Sequence, residues 1–271
     1  MTPPPVKLAA LELGLPVYQP ETLRPSEMAE PLRAAEPDVL VVVAYGAILR
    51  RHVLELAPHG AVNVHPSLLP RYRGSSPVRA AILNGDNTTG VSIIKLVQKL
   101  DAGPILRQEE VPINPDENAD ELSNRLAALA AGMLPQTCID WISGEINPRE
   151  QDESQATMTR EWSRNDAAID WRRPAIEVGR LVRASQPWPV AWTVQDGEPF
   201  RIHQATITNA GALASGAVTR VGKQVIVGCG DGVLELLTVQ PAGKQAMPAL
   251  NWWNGVQSDA VQFDVSISSS T

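Results

Sequence analysis

Residues 38–46 read DVLVVVAYG, an almost unbroken run of apolar side chains, most of them β-branched. A strand with one wet face alternates polar and apolar residues, and this one does not. The run predicts a strand buried on both faces, as in a parallel sheet covered by helices. Residues 60–67, GAVNVHPS, predict a second such strand, ended by Pro66.

Helical patterns fall between these runs. VKLAALELG at 6–14 follows three prolines and ends on Gly, the expected order of helix start and stop signals. LPVYQP at 15–20 is a short extended piece, and EMAEPLRAAEP at 27–37 reads as helical despite Pro31. Residues 47–58, AILRRHVLELAP, form an amphipathic pattern, and SPVRAAILNGD at 76–86 is a helix opening on Ser and Pro. TTGVSIIKLVQKLDAGPIL at 88–106 reads as a strand followed by a Gly-containing turn. Residues 116–144 predict a long helix with a capped, acidic start. This alternation of strands and helices implies an α/β domain.

The pattern changes near Glu145. Residues 147–163 are polar and aperiodic, as in a linker, and RPAIEVGRLVRAS at 173–185 gives one helix. Short strands separated by Gly and Asn then run from Val190 to Gln240, the spacing of a small β-barrel. The tail VSISSST carries no core-forming pattern. The expected class is α/β: a Rossmann-like, mostly parallel sheet domain at 1–146, a linker at 147–163 and a small open, OB-like β-barrel at 164–271.

Bulk numbers exclude several function classes. No run approaches the roughly 18 apolar residues of a membrane span, and the start lacks the basic and apolar regions of a signal peptide. Cys138 and Cys229 lie too far apart for a metal-ligand spacing or a disulfide framework, which fits a reducing cytosol. The net charge of −7 falls entirely on residues 1–159, with 13 Lys/Arg against 20 Asp/Glu, while residues 160–271 hold 10 of each. General nucleic-acid affinity does not fit that balance; a local basic patch in the second half does.

Asn63 and His65 lie two apart on the second predicted strand, so both point to one face, near its carboxyl end. Open α/β sheets bind ligands at that edge. Asp101 follows the next predicted strand, and consecutive elements are usually neighbours. An Asn amide stabilises an oxyanion, a His donates a proton or a hydrogen bond, and an Asp holds the His or relays a proton through water. No Ser or Cys stands as an evident nucleophile. The set suits direct attack by a substrate amine on a carbonyl. By residue type alone, His65 is equally a satisfied structural histidine, Asp101 a turn residue and LLPRYRG a surface loop with solvated arginines.

A resemblance goes beyond the residue types. VNVHPSLLPRYRGSSPVRAAILNGDNTTGVSIIKLVQKLDAGPIL resembles the signature of folate-dependent formyltransferases: Asn-x-His-x-Ser-Leu-Leu-Pro, then an Asp before a small residue and Gly. The resemblance implies that Asn63, His65 and Asp101 are the catalytic trio. It implies that Ser67, Leu68, Leu69 and Pro70 contact tetrahydrofolate, and that VVVAYG, with Val43, Tyr45 and Gly46, walls the folate pocket. IDWRRPAIEVGRLVRASQPWPVAWT and GDGVLELLTVQPAGKQAMPALNWWNG resemble the C-terminal domain of those family members that act on methionyl-tRNA. Glycinamide ribonucleotide formyltransferases share the first signature and lack this domain. The implied reaction is formyl transfer from 10-formyltetrahydrofolate to the α-amino group of initiator methionyl-tRNA in translation initiation. It implies a cytoplasmic monomer with no metal and no membrane partner. Lys223 and Lys244 are the expected tRNA phosphate contacts; Trp188 and Trp192 are expected to pack against the barrel. The alternatives are formylation of an amino sugar or another small amine, and an inactive folate- or RNA-binding fragment.

The family also sets an expectation for the start. Its members begin with a strand, a helix, a second strand and a loop, and Met1 aligns with the end of that loop. A βαβ unit of about 30 residues is therefore expected upstream. Without it, Val39–Val43 are expected to form an unpaired apolar edge and the chain to lose stability and activity.

Overall fold

The computed structural model describes residues 3–23, 29–46, 49–258 and 260–266. They fall into two compact units. The first comprises residues 1–64, 93–107 and 134–151, and the second 65–92, 108–133 and 152–271.

The first unit opens with α1 (Pro5–Glu12) and α2 (Glu30–Ala34). A proline stands in the first turn of each, Pro5 at the first position of α1 and Pro31 at the second of α2, where its missing N–H has no helical partner to lose. β1 (Leu40–Val43) runs parallel to β2 (Ala61–His65), with Leu40 opposite Ala61 and Val43 opposite Val64. Between them stands α3 (Arg51–Leu54), a single turn within the predicted amphipathic stretch; residues 47 and 48 lie outside the described residues.

β4 (Thr88–Lys95) and β5 (Ile105–Pro112) complete a sheet of order β1-β2-β4-β5. Leu96 N–H donates to Ala61 C=O at 2.7 Å, and Lys95 N–H to Pro104 C=O at 3.0 Å. β5 was not expected: RQEEVP lacks the apolar alternation of a half-buried strand, and Glu109 and Glu110 face solvent. Three of these strands continue along the chain into the second unit, as does α5 (Ala119–Ile142). Near the end of α5, Trp141 Nε1 donates to His59 C=O at 3.0 Å and Arg107 pairs with Asp140 at 2.7 Å.

One expectation about the sheet fails. β1 is not buried on both faces: Val41 and Val43 are 46% and 58% exposed. Among the described residues β1 pairs with β2 alone, and no element covers this face. α1 likewise buries none of its side chains.

The second unit holds β3 (Arg73–Gly74), α4 (Pro77–Asn84), β6 (Met158–Thr159) and α6 (Ala175–Ala184). β3 and β6 form a short parallel ladder. The predicted linker is thus pinned rather than free, because its backbone and the Thr157 and Thr159 hydroxyls supply hydrogen-bond partners to residues 70–76. α4 packs on α6, where Arg79 donates to Ala184 C=O and Trp188 C=O and stacks over Trp162.

An antiparallel sheet follows: β7 (Ala191–Gln195), β8 (Glu198–Thr208), β9 (Ala217–Val221), β10 (Gln224–Gly228), β11 (Val233–Gln240), β12 (Met247–Pro248), α7 (Ala249–Asn254) and β13 (Val261–Gln262). The sheet order is β13-β9-β10-β11-β8-β7, with β12 on β11. The register shifts in β11 near Thr238, where a bulge increases the curl. α6 lays Val178 and Val182 onto β8 and β11.

The centre of this sheet is aromatic. Trp171 and Phe263 stack at 5.6 Å between centroids, and Phe200 sits 4.7 Å from Trp252. The Trp171 indole N–H donates to the Thr193 hydroxyl at 3.0 Å, so its one polar atom is satisfied. Trp192 bonds to Arg164 C=O at 2.9 Å beneath the Arg164 guanidinium. Trp188 corrects the expectation of packing: it is 61% exposed, held through its carbonyl by Arg79 while its ring faces out.

The two tryptophans give a direct contrast. Trp171→Ala is expected to cost about 3–5 kcal/mol, the usual range for emptying an aromatic core position. Trp188→Ala is expected to stay within about 0.5 kcal/mol of the parent. Urea unfolding of both variants measures the difference.

Candidate active site

β2 carries Asn63 and His65 two residues apart, hence on one face. Asn63 is half-buried, and the β1–β2 register sets it opposite Val42. His65 is 4% exposed. Its Nε2 lies 2.8 Å from Tyr72 C=O. A carbonyl only accepts, so the neutral ring keeps its proton on Nε2, and donation from Nδ1 requires a second proton.

Tyr72 is itself fixed. Its backbone is left-handed, φ 62°, which is rare for a side chain of this size. Its hydroxyl donates to Asp86 at 2.7 Å and accepts from Asn84 at 2.9 Å, while its N–H donates to the Thr157 hydroxyl at 2.8 Å. Burial, together with the bond to Asp86, pushes the Tyr72 phenol above its usual range.

The loop after β2 has no ladder partners, so its polar atoms are bonded one at a time. Ser67 is fully buried and donates to Arg71 C=O at 2.6 Å. Ser92, in the middle of β4, accepts from Leu69 N–H at 3.1 Å and donates to Ser67 C=O at 2.6 Å. Gln108 donates to Leu69 C=O at 3.0 Å and to the Ser92 hydroxyl at 2.8 Å. Leu69 is buried, while Leu68 and Pro70 are half-buried. The two arginines of the loop differ in burial. The Arg71 side chain is 51% exposed and pairs with Asp86 at 3.0 Å, while that of Arg73 is 2% exposed and forks onto Glu153.

Sequence reasoning missed Ser92, Gln108, Tyr72 and Thr157. Ser92 left a readable sign, a lone hydroxyl inside the apolar VSII run, which needs buried partners. The others show only in three dimensions.

Asp101 is 8% exposed at φ 47°, in the turn between β4 and β5. Gly103 dictates the shape of this turn. A Cβ there would lie 1.8 Å from Lys95 C=O, so no other residue fits the close pass. Gln151 donates both amide hydrogens to the turn, to Asp101 C=O at 2.8 Å and Gly103 C=O at 2.7 Å.

Val43, Tyr45 and Gly46 follow one another at the carboxyl end of β1; Val43 and Tyr45 are 58% and 43% exposed, and Gly46 takes φ 72°. Lys223 and Lys244 are exposed, in the β9–β10 turn and the turn after β11. The register places both turns at the same end of the sheet, since Val225 lies opposite Leu236 and Val239 opposite Met247. Among the described residues no three His, Cys, Asp or Glu cluster as a metal site, and no helix is long and apolar enough to cross a membrane.

Comparison with known proteins agrees with this arrangement. Residues 1–138 match the formyl transferase family model, and 162–257 match that of the formyl transferase C-terminal domain. The chain is 48% identical over 255 residues to a methionyl-tRNA formyltransferase of Roseiflexus castenholzii, covering 93% of this chain and 82% of that protein. It is 46% identical to the methionyl-tRNA formyltransferase of Chloroflexus aggregans, covering 96% and 85%. Among solved structures, HypX from Aquifex aeolicus in complex with tetrahydrofolic acid is similar in fold, with a TM-score of 0.66 at 18% identity, covering 83% of this chain and 40% of that one. The fold and the matched segments define a formyltransferase. Within that class, the chain belongs to the methionyl-tRNA formyltransferase family.

Gly103→Ala is expected to destabilise the chain by about 1–3 kcal/mol, because the added methyl must displace backbone. Chemical denaturation of that variant, compared with Gly132→Ala, where a Cβ meets nothing within 4 Å, isolates the effect of the turn.

Proposed function

We propose that this chain transfers the formyl group of 10-formyltetrahydrofolate to the α-amino group of initiator methionyl-tRNA. The observation that carries the reading is near-full-length similarity to methionyl-tRNA formyltransferases through both matched segments, at 48% identity in one case. The proposed division of labour is a catalytic domain at 1–146, a linker at 147–163 and a tRNA-holding domain at 164–271, in a cytoplasmic monomer.

In the proposed reaction the neutral amine attacks the formyl carbon. An α-amino group titrates near about 8 in peptides, so an appreciable neutral fraction exists at physiological pH. A C–N bond forms, and the carbonyl oxygen takes up negative charge. The Asn63 amide and the His65 imidazolium donate to that oxyanion, His65 through Nδ1 while Nε2 stays on Tyr72 C=O. Asp101 orients His65 and accepts the amine proton through water. The bond from the formyl carbon to folate N10 then breaks, and N10 takes a proton. The products are formylmethionyl-tRNA and tetrahydrofolate. Ser67, Leu68, Leu69, Pro70, Val43, Tyr45 and Gly46 are the proposed folate contacts, and the buried bonds of Ser67 give its hydroxyl a scaffolding part in that contact.

Two measurements test this reading. Asn63→Ala, His65→Ala and Asp101→Asn are each expected to lower formylation kcat by about 10²–10³, the usual effect of removing one oxyanion donor or its support; near-normal turnover in all three would falsify the assignment. Lys223→Ala combined with Lys244→Ala is expected to weaken tRNA binding and to reduce the salt slope of affinity by about 2, with kcat unchanged at saturating tRNA.

A further inference from the structure

We infer that the segment 149–159, which leaves the first matched domain for the second, is part of the catalytic frame, with Gln151 the positioning residue of Asp101 and Thr157 that of His65. The inference rests on the reading of Asp101 and His65 as catalytic.

The Asp101 side is the simpler. A non-glycine residue at φ 47° persists only where its surroundings hold it, since the left-handed region costs about 1–3 kcal/mol. Gly103 presses the turn onto the end of β4, and Gln151 grips it from the other side. Both hydrogens of one amide are committed to the carbonyls of residues 101 and 103. No other side-chain type of similar length presents two donors on one planar nitrogen without charge. Arg149, two residues before, is locked to Ile105 by reciprocal backbone bonds of 2.8 and 2.9 Å, so Gln151 arrives from a fixed origin.

The His65 side runs through one intervening residue. The Tyr72 carbonyl holds His65 Nε2, and the Tyr72 N–H is held by the Thr157 hydroxyl at 2.8 Å. The Thr157 backbone also accepts from Arg73 N–H through its C=O at 2.9 Å and donates its N–H to Pro70 C=O at 3.3 Å, spanning the left-handed residue. Glu153 fastens the same segment to buried Arg73. A tether alone needs only the β3–β6 ladder and this ion pair; the contacts of Gln151 and Thr157 fall instead on the backbone that aims the two reacting side chains.

The test uses the full chain with Gln151→Ala, Gln151→Glu, Thr157→Val, Thr157→Ser and Asp101→Asn. Gln151→Ala is expected to lower kcat about tenfold or more, as small misplacements of a reacting group do, with the KM of both substrates within about twofold. Gln151→Glu, which turns a carboxylate toward two carbonyls, is expected to fall further. Gln151→Ala added to Asp101→Asn is expected to lower kcat no more than Asp101→Asn alone. Thr157→Val is expected to shift the ¹⁵N and pH-titration signature of the His65 ring, one of only four histidines, and Thr157→Ser to restore it. That readout needs no turnover. An unchanged kcat in Gln151→Ala, with Asp101→Asn impaired, overturns this inference alone, as does a loss that adds to that of Asp101→Asn or a His65 signature indifferent to Thr157→Val. Near-normal turnover in Asp101→Asn overturns the catalytic reading and this inference with it.

Discussion

A peptide group taken out of water must find a partner, and the stretch from Pro66 to Ser76 has almost no ladder in which to find one. Every polar atom of that loop is therefore a demand on the rest of the chain. Ser92 and Gln108 answer from β4 and β5, His65 from β2, and Thr157 and Thr159 from the segment that follows α5 in sequence. A shape that no regular element dictates is thereby fixed by several side chains at once. Removing any one strands a buried donor or acceptor, which typically costs about 1–3 kcal/mol.

The same logic explains the unusual backbone angles. Tyr72 and Asp101 are both left-handed, and both are held through their main-chain atoms rather than by packing alone. Strain of this kind gathers where geometry matters more than stability. In this chain one of the two holds the His65 ring through its carbonyl, and the other is itself among the residues that the family resemblance marks as reactive. The β-sheet of residues 190–262 has a different economy: its fixed point is a cluster of aromatic rings.

Much of this was legible before any coordinates. The run VVV reads as a strand from its β-branched residues, the Asn-x-His pair shares a strand face from its two-residue spacing, and the segments after Val190 read as short strands from their regular Gly turns. Those features are local. What escaped depends on sequence-distant partners. β5 was hidden by its polar residues, and the hydrogen bonds that pin the polar stretch 147–163 to residues 70–76 leave no periodicity. Arg73 resembled its neighbour Arg71 until its guanidinium proved buried. The exposure of Val41 and Val43 shows the converse limit: an apolar run states what a strand prefers to touch, not what it touches among the described residues.

The aromatic cluster has a consequence for synthesis. Trp171 is translated long before Phe263, the ring on which it stacks, and Phe200 and Trp252 also meet that late residue. While the ribosome is still adding the strands from β7 onward, the centre of the sheet lacks its closing ring. The nascent polypeptide must carry an open, greasy cleft until the segment holding Phe263 has emerged, and during that interval a chaperone has the most to shield.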